Sequence, residues 1–286
     1  MDIQSDFFES ELKRIIQNAL REDIGDGDHS SLACIPNKAQ GSAKLLVKDS
    51  GVLAGVAFAQ AVCREVDASL QMDVFMRDGE AVKPGDVAFH LHGSVQAILK
   101  AERLMLNGMQ RMSAIATKTK KYSDALQGTN TKILDTRKTT PGIRLLEKWA
   151  VQIGGGTNHR FGLFDAIMLK DNHIDFAGGV AKAISLTKEY LKKNQKKLPI
   201  IVEARNITEI QEILKEGGIQ RILIDNFSVP DTKKAVALIG SSCETESSGG
   251  ITFQTLRSYA DCGVNYISSG ALTHAVNNLD LSLKAL

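Results

Sequence analysis

The chain has 286 residues, 43% of them apolar and 24% charged, with a formal net charge of +2 and 5% aromatics. That length holds one large or two modest domains of a globular protein. Near-neutral charge gives no global electrostatic case for nucleic acid, and scarce aromatics argue against a base-stacking surface.

Residues 1–11 are acidic and lack an apolar h-region, so no signal peptide is expected. No apolar run of about 18 residues occurs, so no membrane span is expected. Residues 7–21 carry Phe7, Phe8, Leu12, Ile15, Ile16, Ala19 and Leu20 at helical spacing, which predicts an amphipathic helix. The acidic, glycine-rich stretch 22–30 follows; it lacks an EF-hand's glutamate at position twelve and reads as a turn in which Asp28 or Ser30 caps something. Strands are predicted at 41–47, 71–76 and 86–92, a short turn-flanked piece at 51–55, and a helix at 57–66. Strands and helices without strict alternation suggest an α+β module. His90 and His92 share a strand face, but two histidines without a third ligand make a weak metal site. Residues 96–126 form the longest helical pattern, with Ile98, Met105, Met109, Met112 and Ala116 on one side, a stripe that reads as core. Cys34, Cys63, Cys243 and Cys262 form no Cys-x-x-Cys pair and read as reduced thiols of a cytoplasmic protein.

From residue 131 the rhythm changes to strand, loop, helix, repeated. Strands are predicted at 132–136, 165–169, 199–203, 221–225, 243–246 and 265–268, and helices at 143–152, 177–193, 207–216, 229–239 and 252–262. This alternation predicts a parallel sheet or barrel, whose ligands sit at the carboxyl ends of its strands. Those ends carry Arg137-Lys138 after Ile133-Leu134, Lys170 after Met168-Leu169, Glu203 after Val202, and Asp225 after Ile224. Between the first two lie Gly154-Gly155-Gly156 and His159-Arg160. A single lysine at a strand end is ordinarily a solvated loop residue. Arg137, Lys138, His159, Arg160 and Lys170 at matching ends are another matter. Like charges about 4 Å apart interact by about 4 kcal/mol at an effective dielectric near 20, so such a crowd needs anions. Glu203 and Asp225 at the same mouth suit Mg²⁺ or ribose hydroxyls. Ser247-Ser248-Gly249-Gly250, ahead of a helix expected near Thr252, and Ser268-Ser269-Gly270 one unit later, read as phosphate cradles.

Three blocks carry a resemblance: Asp135-Thr136-Arg137-Lys138-Thr139-Thr140-Pro141-Gly142, Gly154-Gly155-Gly156-Thr157-Asn158-His159-Arg160, and Lys170-Asp171-Asn172-His173. Together they resemble the quinolinate phosphoribosyltransferases. Glu102-Arg103, Asn107 and Ser113-Ala114-Ile115-Ala116-Thr117 extend the likeness, which covers roughly residues 20–283. Ser30 stands where that family usually has threonine, Ala114 where it has glycine, and Ile201 where it often has a first glutamate before Glu203.

The resemblance implies an α/β fold: an incomplete (β/α) barrel domain over 116–272, plus an N-terminal α+β sandwich domain over 1–115 joined by the tail 273–286. It implies phosphoribosyl transfer from phosphoribosyl pyrophosphate (PRPP) to quinolinate with decarboxylation, Mg²⁺ with PRPP, and a homodimer or larger homo-oligomer with shared active sites. Arg103 is then the residue that reaches the neighbouring subunit's site. Arg137, His159 and Arg160 would bind the dicarboxylate, Thr136 would be a further substrate-binding residue, and Lys138 and Lys170 would offset charge on the leaving pyrophosphate. Glu203 and Asp225 would hold the metal and the ribose, and Ser248, Gly249, Gly250, Ser269 and Gly270 the 5-phosphate. Two other readings stand beside it: a paralogous phosphoribosyltransferase for another base, and a non-catalytic phosphosugar-binding protein.

Overall fold

A computed structural model describes residues 5–286. The acidic start therefore lies partly outside the described residues, at 1–4. In chain order the elements are α1 (Asp6–Ile24), α2 (His29–Cys34), β1 (Gln40–Val47), β2 (Gly51–Val52), α3 (Val56–Val66), β3 (Gln71–Val74), β4 (Ala81–Val82), β5 (Val87–Ser94) and α4 (Val95–Ala125). Then come β6 (Lys132–Leu134), α5 (Arg144–Ile153), β7 (Ile167–Leu169), α6 (Asp171–Ala177), α7 (Val180–Lys193), β8 (Ile200–Ala204), α8 (Ile207–Glu216) and β9 (Arg221–Asp225). The last are α9 (Val229–Ile239), β10 (Glu244–Ser248), α10 (Leu256–Ala260), β11 (Tyr266–Ser268), α11 (Ala271–His274) and β12 (Leu281–Ala285). Among the described residues no helix is long and apolar enough to cross a membrane.

The chain divides into two compact units. The first gathers residues up to Lys120, the segment Lys138–Gly156 and the tail Ala271–Leu286. Its main sheet runs β12-β1-β5-β3 and is antiparallel throughout. The tail belongs here because β12 pairs along β1, Ala43 opposite Ala285 and Val47 opposite Leu281. Leu281 and Leu283 thereby bury their side chains. Sequence reading finds no strand in that short tail, since only a partner edge makes it one. The core of the unit includes Leu45, Leu53, Phe58, Phe89, Leu91 and the methionine stripe Met105, Met109 and Met112, all without exposed surface. Fully burying each such side chain contributes roughly 1.5–3 kcal/mol. α4 packs closely because of Gly108: a Cβ there would lie 2.1 Å from Phe58 Cε1.

At the chain start, α1 runs past the expected 7–21 to Ile24, taking in Glu22 and Asp23. Asp28 then caps α2, its carboxylate accepting from Ser31 N–H at 3.1 Å. Residues 22–30 thus work as a helix end and a cap.

The second unit is Lys121–Arg137 with Thr157–Gly270. Its six-stranded sheet runs β6-β11-β10-β9-β8-β7, every pair parallel. A closed barrel would meet itself in chain order. Here β7 to β11 follow one another and β11 turns to β6, but β6 and β7 are not paired. The ring is open at that point, which makes it an incomplete (β/α) barrel. The connection from β6 to β7 runs through Lys138–Gly156 with α5, a segment that groups with the first unit. Thr157 alone extends the edge, bridging Leu134 of β6. Two helices differ from expectation. The predicted 177–193 helix is two, α6 and α7, broken where Gly178 and Gly179 take φ of +89° and +116°. The predicted 252–262 helix shrinks to the five residues of α10.

Candidate active site

Side chains along a strand alternate between faces, so registered residues of parallel neighbours share a face. Val202 lies opposite Leu169, Glu203 opposite Leu223, and Ser248 opposite Asp225. Carried one step on, the pairing puts Lys170, Glu203, Asp225 and Ser248 on one face, at the carboxyl rim of the second unit's sheet. The alternation also gives that face Ile201, Arg221, Glu244 and Glu246. Thr136 and Arg137 follow β6, and Ser269 and Gly270 follow β11. All six strands therefore deliver a candidate at the same end.

Glu203 is buried, and Lys170 Nζ stands 3.8 Å from its Oε2. Burial, and next the charge of Asp225, push the Glu203 carboxyl above the usual glutamate value, against the pull of Lys170. A buried carboxylate whose charging is opposed by a neighbouring carboxylate fits a divalent cation, which relieves it. Arg160 is half-buried and donates from Nη1 to the Ala166 carbonyl at 3.2 Å. Burial, and next the charge of Arg137, lower its guanidinium from the ordinary arginine value, against the pull of Asp165. The two arginines are thus within electrostatic reach of each other. Arg137 itself is exposed.

His159 is turned inward. Its side chain is 7% exposed, with Nε2 3.3 Å from Glu246 Oε2. Its Nδ1 accepts from Arg160 N–H at 2.7 Å. Its Nε2 therefore faces the Glu246 carboxylate and its Nδ1 the Arg160 amide. The peptide N–H of His159 donates to Asp135 Oδ1 at 2.8 Å, and Asn158 Nδ2 donates to Asp135 Oδ2 at 2.6 Å. Asp135 has no exposed surface. The loop 157–160 is therefore stitched to the end of β6 by a buried carboxylate.

The cradle after β10 also departs from expectation. With α10 starting at Leu256, no helix N-terminus follows Gly250 directly, so the macrodipole argument falls away. What remains is open backbone. Gly249 and Gly250 have φ of +89° and +60°, and no atom lies within 4 Å of where a Gly250 Cβ would be. Gly249 is fixed as glycine, since a Cβ would meet Asn226 Oδ1 at 2.2 Å. Ser269 is buried and its N–H donates to the Leu134 carbonyl at 3.0 Å, so that amide extends the sheet.

In the first unit, Arg103 and Lys138 are both exposed, and the Lys138 carbonyl accepts from Thr273 Oγ1 at 2.7 Å. His92 Nε2 lies 3.2 Å from Asp73, and its Nδ1 lies 2.6 Å from Ser42 Oγ. Buried there too is a pair that sequence reading passes over. Glu147 has no exposed surface, and Arg111 Nε and Nη2 donate to its Oε1 at 3.0 and 2.9 Å. Thr140 N–H donates to its other oxygen at 3.1 Å. The helical offset from Thr140 to Glu147 gives no hint of this bond, because loop 139–143 has first to turn back onto α5. Among the described residues no group of three His, Cys, Asp or Glu is placed to hold a metal ion.

Comparison with known proteins joins both units. Residues 28–113 match the family model described as "Quinolinate phosphoribosyl transferase, N-terminal domain", and residues 115–284 its C-terminal counterpart. The chain is 46% identical over 289 aligned positions to "Quinolinate phosphoribosyltransferase [decarboxylating] 1b" of Nicotiana tabacum, covering 96% of this chain and 82% of that protein. It is 40% identical to the "Probable nicotinate-nucleotide pyrophosphorylase [carboxylating]" of Bacillus subtilis, covering 96% and 93%. The structure of the nicotinate-nucleotide pyrophosphorylase from Francisella tularensis superposes with a TM-score of 0.89 at 35% identity, covering 97% and 96% of the two chains. A chain matched by both domain models, with an open parallel barrel in its second unit, belongs to the quinolinate phosphoribosyl transferase family.

Proposed function

We propose that this chain transfers the phosphoribosyl group of PRPP to the ring nitrogen of quinolinate, giving nicotinate mononucleotide, pyrophosphate and CO₂ in NAD biosynthesis. The observation that carries it is the set of cations gathered at one rim: Arg137 after β6, Arg160 on the loop that Asp135 ties to the end of β6, and Lys170 after β7, its Nζ 3.8 Å from Glu203. Clustered cations of this kind suit a dianion, and guanidinium forks suit carboxylates. Arg137 and Arg160 bind the two carboxylates, with Thr136 beside them. Lys170, and Lys138 next to Arg137 in the chain, balance the leaving pyrophosphate. Glu203 and Asp225 would hold Mg²⁺, which supplies positive charge to the pyrophosphate when bound. The open turn Ser248-Gly249-Gly250, with Gly270, receives the 5-phosphate.

The C1–O bond to pyrophosphate breaks and leaves an oxocarbenium-like sugar. The pyridine nitrogen donates its pair to that carbon. The new pyridinium then stabilises the carbon left behind when its carboxylate departs as CO₂, and that carbon takes a proton. This chemistry asks for positioning and preorganised charge rather than a covalent nucleophile. Incubation with PRPP, Mg²⁺ and either quinolinate or nicotinate, followed by product NMR, tests the substrate. Nicotinate mononucleotide and CO₂ should form from quinolinate; turnover of nicotinate alone would discard the assignment.

The working molecule is a homodimer or a larger homo-oligomer, in which the exposed Arg103 of one subunit completes the site of its neighbour. Arg103→Ala and Lys138→Ala should each abolish activity, and mixing the two should restore part of it through dimers with one intact site. No recovery after subunit exchange rejects sharing. Assignment to the cytoplasm rests on the four cysteines, which are all free.

A further inference from the structure

Glu246 lies in the middle of β10, has no exposed surface and does not reach the rim. A bare carboxylate in that position is expensive to bury. Two groups compensate it: Arg221 Nη1 at 2.9 Å and His159 Nε2 at 3.3 Å. Burial alone would raise the Glu246 carboxyl. The His159 ring 3.3 Å away, a hydroxyl from Ser268 and the charge of Arg221 outweigh it and hold the carboxyl below the ordinary glutamate value. Arg221 is itself pinned by Glu244 at 3.0 Å and lies 4.0 Å over the Tyr266 ring.

The path continues toward the rim. His159 Nδ1 accepts from the Arg160 N–H, and a nitrogen that accepts an N–H carries no proton. The hydrogen-bond network therefore assigns the ring's proton to Nε2, facing Glu246. The peptide N–H of His159 is held separately by Asp135. Two buried carboxylates thus fix His159, one by its ring and one by its backbone, and the ring fixes the amide of Arg160. Replacing a buried ion pair with apolar groups is often neutral for stability, so filling space does not by itself explain charge here.

We propose that Glu246 is a positioning residue which, through the His159 ring, sets the backbone of Arg160 and so aims the guanidinium that receives the substrate's carboxylate. This rests on the proposed function for its substrate, but not for its geometry. Removing the outer partners that orient metal-binding histidines changes affinity by roughly 10- to 100-fold, which sets the scale for an indirect effect of this kind.

The test uses the full chain with Glu246→Gln, which removes the charge, and Glu246→Asp, which keeps the charge but draws it back from the position where Glu246 Oε2 meets both Arg221 Nη1 and His159 Nε2. ¹⁵N NMR of the histidine rings should show His159 as the Nε2–H tautomer in the parent and as a tautomer mixture in both variants. In steady state, KM for quinolinate should rise about tenfold in each, while KM for PRPP stays within about twofold. An unchanged tautomer, or equal rises in both KM values that track a loss of Tm, overturns the proposal in favour of a purely structural ion pair. A parent chain that keeps the Nε2–H tautomer yet does not turn over quinolinate would instead remove the proposed function and leave the geometric claim standing.

Discussion

Charge at the scale of single residues decides what this rim can do. The Glu203 carboxyl is held above its usual value by burial and by Asp225, so it ionises most readily when a cation joins it. Arg160 shows the opposite pressure, lowered by burial and by Arg137. An anion relieves that pressure, and a charge-assisted bond to it is worth about 1.5–3 kcal/mol. Arg160→Ala should therefore raise KM for quinolinate roughly 10- to 100-fold, with little change in thermal stability, since its bond to Ala166 is half-exposed. A Tm collapse with an unaltered KM would show that Arg160 braces the loop and binds nothing. Lys170, Glu203 and Asp225 were readable from sequence because each ends an apolar strand. Arg221 and Glu246 were not. A charge inside a strand reads as a solvated face until the folded sheet turns that face inward.

At the scale of elements, glycines set how closely the chain packs. Gly154 follows α5 with an ordinary φ of −75°, so it is not kept for conformational freedom. A Cβ there would lie 2.5 Å from the Ala116 carbonyl oxygen and 2.7 Å from Thr119 Cβ. The first of those atoms is backbone and yields little. Gly154→Ala should cost about 1–3 kcal/mol by overpacking, and Tm should fall by roughly 5 °C. Calorimetry that shows no change would mean α4 and α5 can part at no cost. Of the three glycines at 154–156, only Gly155 has a positive φ, and sequence shows the run without showing that division of labour. The predicted long helices at 177–193 and 252–262 failed for related reasons. Gly178 and Gly179 break the first. In the second, Thr252 and Thr255 hydroxyls bond to nearby backbone N–H groups in place of a helical turn.

At the scale of the molecule, the first unit is assembled from three stretches far apart in sequence. Its outer strand β12 comes from the extreme end of the chain. Removing residues 281–286 deletes the buried Leu281 and Leu283, a loss of roughly 3–6 kcal/mol, and exposes the edge of β1. The truncated chain should be cleaved by protease within residues 40–94 much faster than the full chain; equal rates would show that β12 is dispensable. Sequence alone determined the alternating strands and helices from residue 131, the charged ends of those strands and the buried methionine face of α4. Each of these is a local period or a neighbour relation along the chain, and periodicity survives without tertiary contacts. Only the tertiary structure decided where the barrel opens, that His159 turns inward to Glu246, that Arg111 reaches Glu147, and that the tail becomes a strand. Those features exist only once distant segments lie side by side, and a burial cost or an unpaired edge arises only then.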